Sequence, residues 1–293
     1  MSSLVWMNGG LVSAGEARID PGDRGFTLAD GCFDTALSIG GRVFRADHHL
    51  TRLAATCEAL SLPVSRGELE RAQSALAAEI GDGSIRITVT RGTGARGLAL
   101  PERPNPTVFG SASAFAPNLV FAPLTIALAQ TRRNETSLTA RHKTLSYLDA
   151  IIETNRVRAQ GANEPVFLNS RGHIACTALA NLFEITGGNI LTPPLADGVL
   201  DGVMRRFLLE NGAAGIEERS LGLGSRGDLA GRHFVLTNSL RLIAPARIAG
   251  TRGMAPEAAA RVQALMETAC HAIRRECGTD PRDLGVVLPD LSA

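Results

Sequence analysis

The chain has 293 residues, of which 44% are hydrophobic and 20% are charged, and its formal net charge is +1. This balance is typical of a globular protein and excludes a disordered or fibrous chain, while the scattered basic residues argue against a nucleic-acid or acidic-membrane partner. The length suffices for two medium-sized domains with filled cores, which is our starting hypothesis.

The five cysteines form no CxxC pair and no closely spaced even set, so the sequence predicts neither a disulfide framework nor a structural zinc site. We therefore expect no metal and a reducing, cytoplasmic location. The N-terminal "MSSLVWMNGGLV" lacks a basic segment followed by a long apolar run, and no stretch approaches 18 uninterrupted apolar residues. Neither a secretion signal nor a membrane span is expected.

The first half of the chain predicts short strands and two helices. "LVWMNG" and "ALSIGGRVFR" are typical of strands that meet at glycine turns, and Asp47 is suited to cap a helix that runs to about Leu60. A second helix is predicted over residues 66–80, where apolar residues recur at spacings of three or four. "SIRITVTRG" alternates apolar and polar residues, which indicates a half-buried strand.

The second half begins after "FAPNLVFAP", residues 115–123, a proline-containing stretch without periodicity that we take as a linker. Strands are predicted at "LTIALAQ", "PVFLN", "NLFEITGG" and "FVLTNS", with helices after Lys143 to Gly161, near 202–211 and near 255–275. This order predicts an α/β or α+β fold in two domains, a smaller one over residues 1–118 and a larger one over 119–293.

Lys143 is the first candidate for chemistry, in "RHKTLSYLDAII". The pattern places it at the start of a predicted helix, where the helix dipole disfavours a cation. A lysine in this position either points into solvent or loses its charge through chemistry, for example as a Schiff base with a carbonyl cofactor.

Eight ordered motifs give the chain a resemblance to a known family. They are "MNGGLV", "RGFTLADGCFDT", "HLTRL", "TRGTGARG", "KTLSYLD", "ANLFEI", "LTPPLADGVLDGVMRR" and "TNSL". Together they resemble the class IV aminotransferases, the fold-type IV enzymes that use pyridoxal 5′-phosphate (PLP). The resemblance implies a two-domain fold like that of D-amino-acid aminotransferase, with the cofactor in the cleft between the domains, and a homodimer.

The resemblance assigns Lys143 two roles, to hold PLP and to move the proton of the substrate's α-carbon. Arg52 occupies the family position of a phosphate-binding arginine, for which its two-pronged guanidinium is well suited. The alternative is an exposed helix arginine that pairs with Glu58 or with nothing.

Further cofactor contacts follow from the resemblance. "DGVMRR" is similar to the family turn where backbone N–H groups at a helix start face the phosphate, which indicates Val203 and Met204. Ser239 matches a phosphate-binding hydroxyl, or else is an ordinary serine at a strand end. Tyr147, the only tyrosine, lies one predicted helical turn after Lys143 and matches the family donor to the cofactor's phenolic oxygen; core packing is the alternative.

Cys176 is a departure from the family pattern. In the family a glutamate five residues before the asparagine of the "NLF" strand pairs with the pyridine nitrogen, and counting back from Asn181 gives Cys176. A thiol cannot replace a carboxylate in this role, so we expect a weaker electron sink. The consequence is an elimination reaction, a slow transaminase or a catalytically silent paralogue, and a packing role for Cys176 is compatible with all three.

The most specific motifs resemble those of lyases in the family that release pyruvate from 4-amino-4-deoxychorismate and leave 4-aminobenzoate. Thr35 matches a residue of these lyases that helps proton transfer, or is a small polar turn residue. Arg96, with Arg91 as a second candidate, matches an arginine that binds the substrate carboxylate, or belongs to a basic loop tip. "KTLSYLD" instead resembles the aminotransferase pattern, which keeps D-amino-acid and branched-chain aminotransferases as alternatives.

Overall fold

The computed structural model describes residues 3–186, 189–211, 215–223, 228–248, 251 and 253–291. The backbone divides into two compact units. The first comprises Met1–Ala116, His142–Ser146 and Ile273–Thr279, and the second comprises Pro117–Arg141, Tyr147–Ala272 and Asp280–Ala293. The predicted domains, residues 1–118 and 119–293, do not place the two later segments in the first unit.

The first unit contains a six-stranded antiparallel sheet with the order β2-β1-β6-β5-β3-β4. Its strands are β1 (Leu4–Met7), β2 (Gly10–Ser13), β3 (Gly31–Ile39), β4 (Arg42–Val43), β5 (Gly83–Thr90) and β6 (Thr107–Ala114). The helices of the whole chain are α1 (Arg24–Leu28), α2 (Ala46–Ala59), α3 (Arg66–Ile80), α4 (Leu138–Arg141), α5 (Leu148–Arg158), α6 (Val203–Asn211) and α7 (Pro256–Cys277).

The core of the first unit lies between this sheet and the helices α2 and α3. The side chain of Ser65 accepts a hydrogen bond from the Glu68 N–H and so caps α3, and the apolar residues of α3 then recur on one buried face. Alternate residues of β3 and β5 join the same apolar cluster. The other face of β3 and β5 therefore carries the remaining side chains, including Phe33 and Arg86.

The second unit contains a nine-stranded sheet with the order β12-β11-β10-β14-β15-β7-β8-β9-β13. Its strands are β7 (Leu124–Leu128), β8 (Glu164–Leu168), β9 (His173–Thr177), β10 (Asn181–Thr186), β11 (Asn189–Thr192), β12 (Ile216–Glu218), β13 (Leu221–Gly222), β14 (His233–Asn238) and β15 (Leu242–Ile248). The pairs β15/β7, β7/β8 and β11/β12 are parallel. One face of the sheet forms the main apolar cluster of this unit, to which Val166 and Leu168 contribute, whereas Phe167 packs on the opposite face with Ala150.

The sequence predicts most of these elements correctly, and the α/β fold class is confirmed. The helix predicted over 66–80 is α3, and β5 buries its alternate apolar residues as expected. The predicted cap at Asp47 is wrong, because α2 begins one residue earlier at Ala46 and Asp47 lies in its first turn. The last two residues of "NLFEITGG" lie outside the described residues.

No helix in the described part of the chain is both long and apolar enough to cross a bilayer.

Candidate active site

Lys143 lies on an extended segment of the first unit that runs beside β3. The N–H of Phe33 donates to the Lys143 carbonyl at 3.0 Å, and the Leu145 N–H donates to the Gly31 carbonyl at 3.0 Å. Glycine is needed at position 31, because a Cβ there would lie 3.0 Å from Leu145 Cδ1 of this segment and 2.4 Å from the Val89 carbonyl oxygen of β5. The prediction that Lys143 starts a helix is therefore wrong.

The helix after Lys143 begins five residues later, at Leu148, and ends at Arg158. The chain then turns to Gly161, whose φ of 82° is the left-handed value that glycine accepts readily. Tyr147 therefore does not follow Lys143 on a helical face. Since Lys143 is not at a helix start, a helix dipole does not act on its charge, and its chemistry depends on the residues around it.

Lys143 is the only lysine among the 293 residues; the other 29 basic side chains are arginines. Its Nζ lies 4.4 Å from the centroid of the Phe33 ring, an arrangement in which the ring face attracts a cation. Any lysine chemistry of this chain must therefore occur at this one position. A count of lysines in the sequence is the signal that would have shown this at once.

Three side chains of the first unit carry charges or protons close to Lys143: Asp34 on β3, and His49 and Arg52 on α2. His49 Nδ1 lies 2.6 Å from Asp34 Oδ1, and both Nε and Nη2 of Arg52 lie 2.8 Å from Asp34 Oδ2. We call Lys143, Asp34, His49 and Arg52 the Lys143 cluster. Arg52 is thus neither exposed nor paired as the alternative in the sequence supposed, and its phosphate contact stays a prediction.

The Lys143 cluster has a defined charge pattern. Burial favours the neutral acid and so acts to raise the pKa of Asp34, but the charge of Arg52 and the contact with His49 outweigh it and lower the pKa to about 2. Burial also lowers the pKa of His49, against the opposing influence of Asp34. At neutral pH Asp34 is therefore an anion, and neutral His49 donates from Nδ1 to it. The positive charge of Lys143 contributes to both shifts.

The sheet face next to Lys143 carries Thr35 and two further side chains. Thr35 pairs with Arg86 across β3 and β5, and the Arg86 guanidinium lies over the Phe33 ring at 3.5 Å from its centroid. The Phe33 ring therefore contacts both Arg86 and Lys143. The sequence analysis missed Arg86. Its signal was available, because Arg86 is a charged residue on a predicted strand whose other face is apolar.

The two predicted substrate arginines differ in their surroundings. Arg91 is buried, contacts both Asp30 oxygens at 2.8 and 3.0 Å, and also donates to the carbonyls of Ser61 and Leu60. These contacts favour a structural role for Arg91. Arg96 is exposed in the following loop, and its contact with the substrate carboxylate stays a prediction.

Arg24 connects that loop to the motif that precedes β3. Its Nε contacts Asp30 at 2.8 Å, and its Nη1 donates to the Gly97 carbonyl at 2.9 Å, next to Arg96. The motifs "RGFTLADGCFDT" and "TRGTGARG" thus fit together around the Asp30 carboxylate.

In the second unit, Cys176 lies on the sheet face opposite the main apolar cluster. It pairs with Phe167 across β8 and β9, and Phe167 packs against Ala150 and Tyr147. The guanidinium of Arg133 covers the Phe167 ring at 4.5 Å from its centroid and contacts the Cys176 thiol. We call Cys176, Arg133, Phe167 and Tyr147 the Cys176 face. Two predicted site residues, Cys176 and Tyr147, are therefore brought together there.

The start of α6 lies beside Gly202 and Asn181. The Arg206 N–H makes the first helical bond, to the Gly202 carbonyl, so the N–H groups of Val203 and Met204 precede the helical ladder. A Cβ on residue 202 would lie 1.9 Å from Asn181 Oδ1, which requires glycine. Thr237 pairs with Asn181 across β10 and β14, and its buried Oγ1 has no hydrogen-bond partner within the described ranges.

These features fit a bound phosphate group. A helix start offers unused N–H donors and a favourable dipole, and the Thr237 hydroxyl is a buried donor that a ligand oxygen would satisfy. Ser239, the predicted hydroxyl, lies two residues further on in the turn between β14 and β15. The sequence analysis missed Thr237, although it belongs to the same "TNSL" motif. Elsewhere, no group of three potential metal-binding side chains occurs in the residues that the structure describes.

The profile of one protein family matches most of the chain. The family is described as amino-transferase class IV, and the match covers residues 31–249.

Individual proteins are similar to the chain over most of its length. The aminodeoxychorismate lyase of Bacillus subtilis strain 168 is 29% identical over 214 residues, which cover 71% of this chain and 73% of that protein. A putative branched-chain-amino-acid aminotransferase of Methanocaldococcus jannaschii is 26% identical over 223 residues, 73% of this chain and 77% of that protein. Among solved structures, the PLP-bound form of a hypothetical aminotransferase from Mycobacterium tuberculosis matches with a TM-score of 0.78 and 22% identity, over 92% of this chain and 98% of that one.

Proposed function

We propose a reaction for this chain from one premise: it belongs to the amino-transferase class IV family and is a PLP-dependent enzyme of that family. The proposed reaction is the elimination of pyruvate from 4-amino-4-deoxychorismate, which leaves 4-aminobenzoate. The observation that carries the enzymatic role is the Lys143 cluster, because the only lysine of the chain lies beside a buried carboxylate, a neutral histidine and an arginine.

We assign the chemical groups of PLP to residues of each unit in turn. In the first unit we assign the aldehyde carbon to Lys143 and a phosphate oxygen to Arg52, as the family resemblance predicts. In the second unit we assign the phosphate to the N–H groups of Val203 and Met204 and to the hydroxyls of Thr237 and Ser239. Tyr147 is assigned to the phenolic oxygen, and its place on the Cys176 face supports this role.

When bound, PLP supplies an aromatic ring that accepts negative charge from the carbon next to the substrate's amino group. The Lys143 amine takes the proton from that carbon and returns a proton later, since it is the only lysine and a proton carrier must lie within reach. Asp34 stays charged and holds His49 and Arg52 in place. Thr35, on the sheet face of Phe33, is assigned to proton transfer with Lys143.

The products define what the substrate site must recognise. Pyruvate and 4-aminobenzoate each carry a carboxylate, so the substrate of this elimination carries two. Arginine binds carboxylates with two parallel hydrogen bonds. We assign one carboxylate to Arg86, which lies over the same ring as Lys143, and the other to Arg96. Arg91 is left out because Asp30 and two carbonyls already occupy its donors.

Cys176 supports elimination over transamination. The chain lacks the carboxylate that keeps the pyridine nitrogen protonated in the family pattern, so its electron sink is weaker, and elimination tolerates this better. Similarity to the lyase from Bacillus subtilis supports the same choice. Transamination of a D-amino acid or a branched-chain amino acid is the second candidate, favoured by the "KTLSYLD" motif and the similarity to the Methanocaldococcus jannaschii protein.

The test is the release of pyruvate when the purified, PLP-loaded protein meets enzymatically generated 4-amino-4-deoxychorismate. We expect pyruvate and 4-aminobenzoate in equal amounts, and neither product from Lys143→Ala. Bound cofactor without pyruvate would overturn the lyase assignment, and a screen of amino donors would then test the aminotransferase. A colourless protein that PLP cannot reconstitute would instead indicate a catalytically silent paralogue.

The homodimer that the family resemblance implies and the cytoplasmic location remain part of the proposal. Sedimentation of the PLP-loaded protein at several concentrations tests the dimer. We expect one species with about twice the chain's mass of 30.8 kDa.

A further inference from the structure

Arg133 of the Cys176 face is held in one position by its backbone. Its N–H donates to the Leu168 carbonyl at 2.8 Å, and it forms a parallel bridge with Asn169. Its guanidinium is then fixed over the Phe167 ring and against the Cys176 thiol. Arg133 is therefore more restricted than a solvated surface arginine, because its backbone, the ring and the thiol all contact it.

No carboxylate neutralises Arg133 in the described part of the chain. The described residues place no ion pair on it, and its buried Nε lacks a hydrogen-bond partner among them. The neighbouring thiol offers no negative charge, because burial raises the pKa of Cys176 despite the nearby guanidinium. A buried donor without an acceptor is unfavourable, so this arrangement calls for an acceptor from outside the chain.

The carboxylates near Arg133 in sequence and on β8 do not fill this place. Glu153 accepts hydrogen bonds from Thr131 and pairs with Arg156. Glu135 is bound by Ser170. Glu164 belongs to the face of β8 that carries Val166 and Leu168, since residues two apart along a strand share a face, whereas Cys176 pairs with Phe167 on the other.

We propose that Arg133 donates a hydrogen bond to the pyridine nitrogen of PLP and thereby keeps this nitrogen unprotonated. The inference rests on the proposed function, which assigns the position of Cys176 to that nitrogen. A neutral pyridine nitrogen has a lone pair and is the acceptor that Arg133 lacks, and a guanidinium does not give up its proton in proteins. Where the family pattern has an anion, this chain presents a cation.

This inversion has a direct chemical consequence. A positive charge within hydrogen-bond reach opposes protonation of the nitrogen, and an unprotonated pyridine withdraws electrons less strongly. The electron sink is then weak for two reasons: the glutamate of the family pattern is absent, and the charge of Arg133 keeps the nitrogen unprotonated. Arg133 is a cofactor-binding residue that sets the reaction preference of the site.

The test uses PLP labelled with ¹⁵N in its ring and bound to the full-length protein. The ¹⁵N chemical shift reports directly whether the ring nitrogen is protonated. It is followed as the pH is lowered from about 8 to about 5, the range in which the nitrogen base of a histidine ring changes its charge. Four proteins are compared: the wild type, Arg133→Leu, Arg132→Leu and Cys176→Glu. Arg132 is the matched control, since it is the adjacent arginine but is exposed and donates to the Asn169 carbonyl.

We expect an unprotonated nitrogen in the wild type and in Arg132→Leu throughout this range. In Arg133→Leu the nitrogen should become protonated within this range as the pH falls, because a like charge has been removed. Cys176→Glu should show a protonated nitrogen at neutral pH. A protonated nitrogen in the wild type, or the same titration in Arg133→Leu as in Arg132→Leu, would overturn the inference.

Two controls keep the result interpretable. If Arg133→Leu fails to fold, Arg133→Gln keeps a shorter, neutral hydrogen-bond donor and should likewise allow the nitrogen to become protonated within this range. A purely structural role would lower the thermal midpoint of these variants without changing the ring-nitrogen titration. Borohydride trapping of PLP on Lys143 is measured in parallel: a trapped cofactor with unchanged titration contradicts this inference alone, whereas no trapped cofactor contradicts the proposed function and this inference with it.

Discussion

The Lys143 cluster and the Cys176 face treat buried charge in opposite ways. In the first, Asp34 lies between His49 and Arg52, so a buried anion is balanced by a cation and a hydrogen-bond donor. In the second, Arg133 meets an aromatic ring and a neutral thiol, with no carboxylate partner among the described residues.

This difference distinguishes charges with a structural role from charges that bind a ligand. Removing one member of a balanced cluster is destabilising, since it leaves another buried charge without its partner within the chain. An unbalanced cation is unfavourable in the empty protein and becomes favourable only with a ligand that accepts its hydrogen bond. We therefore expect substitutions of paired charges, in the Lys143 cluster and at the Arg91–Asp30 pair, to change stability. Substitutions on the Cys176 face should change mainly the chemistry.

The largest expected effect comes from removing the amine of the Lys143 cluster. Lys143→Ala should lower the rate of pyruvate release by about 10³-fold or more, since both the covalent attachment and the proton transfer are lost. Lys143→Arg is the matched control, because it keeps the positive charge beside Asp34 but cannot carry the cofactor. Steady-state assays should find both variants inactive, and activity in Lys143→Arg would refute the role of the amine.

The second effect separates two arginines of the first unit. Arg91→Leu should lower the free energy of unfolding by about 3 kcal/mol, because it removes the buried Arg91 guanidinium from the partly buried Asp30 and from the carbonyls of Ser61 and Leu60. Arg96→Leu should change that free energy by less than about 0.5 kcal/mol, since Arg96 is exposed, and should raise KM for the dicarboxylate substrate. Urea unfolding and steady-state kinetics measure the two quantities. A similar loss of stability in both variants would contradict the assignment.

The third prediction concerns a substitution that gives the Cys176 face a carboxylate beside its arginine, as the Lys143 cluster already has. Cys176→Glu gives Arg133 a carboxylate and restores the group expected at the pyridine nitrogen, so transamination half-reactions should accelerate on the order of tenfold, equivalent to about 1.4 kcal/mol in the barrier. Cys176→Ser, which adds no charge, is the control. Stopped-flow measurements with D- and L-amino acids follow the reaction. Equal rates in both variants would show that the missing carboxylate does not limit transamination.

The smallest effect is a pH dependence of stability from His49. Its pKa in the folded protein is below the usual value of about 6.5, so the unfolded chain takes up a proton first as the pH falls. Stability should therefore decrease below about pH 6.5, by at most about 1.4 kcal/mol per pH unit for this one group. Asp34, with a folded pKa of about 2, adds a second loss between about pH 4 and pH 2.

His49→Gln should remove the decrease that begins near pH 6.5, while His48→Gln, at the adjacent histidine, should retain it. Unfolding free energies at several pH values between about 5 and 8 provide the comparison, around the usual histidine pKa. A decrease of the same size in His49→Gln would assign it to other groups.

The sequence predicts the regular parts of the molecule well because their signals are local. Apolar residues in α3 and β5 recur with the period of a helix and a strand, and each period determines one buried face. The segment at Lys143 breaks this rule. It is held by hydrogen bonds to Phe33 and Gly31, more than 100 residues earlier, and no local pattern indicates such a contact.

The candidate site shows the same limit. Motif resemblance indicates Arg52, Val203 and Met204, but it cannot show that Asp34 engages the guanidinium of Arg52. Arg133 could not be identified from the sequence, because its significance depends on a missing partner, and only the folded chain shows which partners a side chain has.

The central claim is that Lys143 is the amine that holds PLP. The direct test is borohydride reduction of the PLP-loaded protein followed by peptide mass mapping. Because the chain has no other lysine, the account predicts one phosphopyridoxyl group per chain, on the peptide that contains Lys143, and none in Lys143→Ala. A folded protein that binds PLP but shows no label, or a label on the N-terminal amine alone, would contradict it.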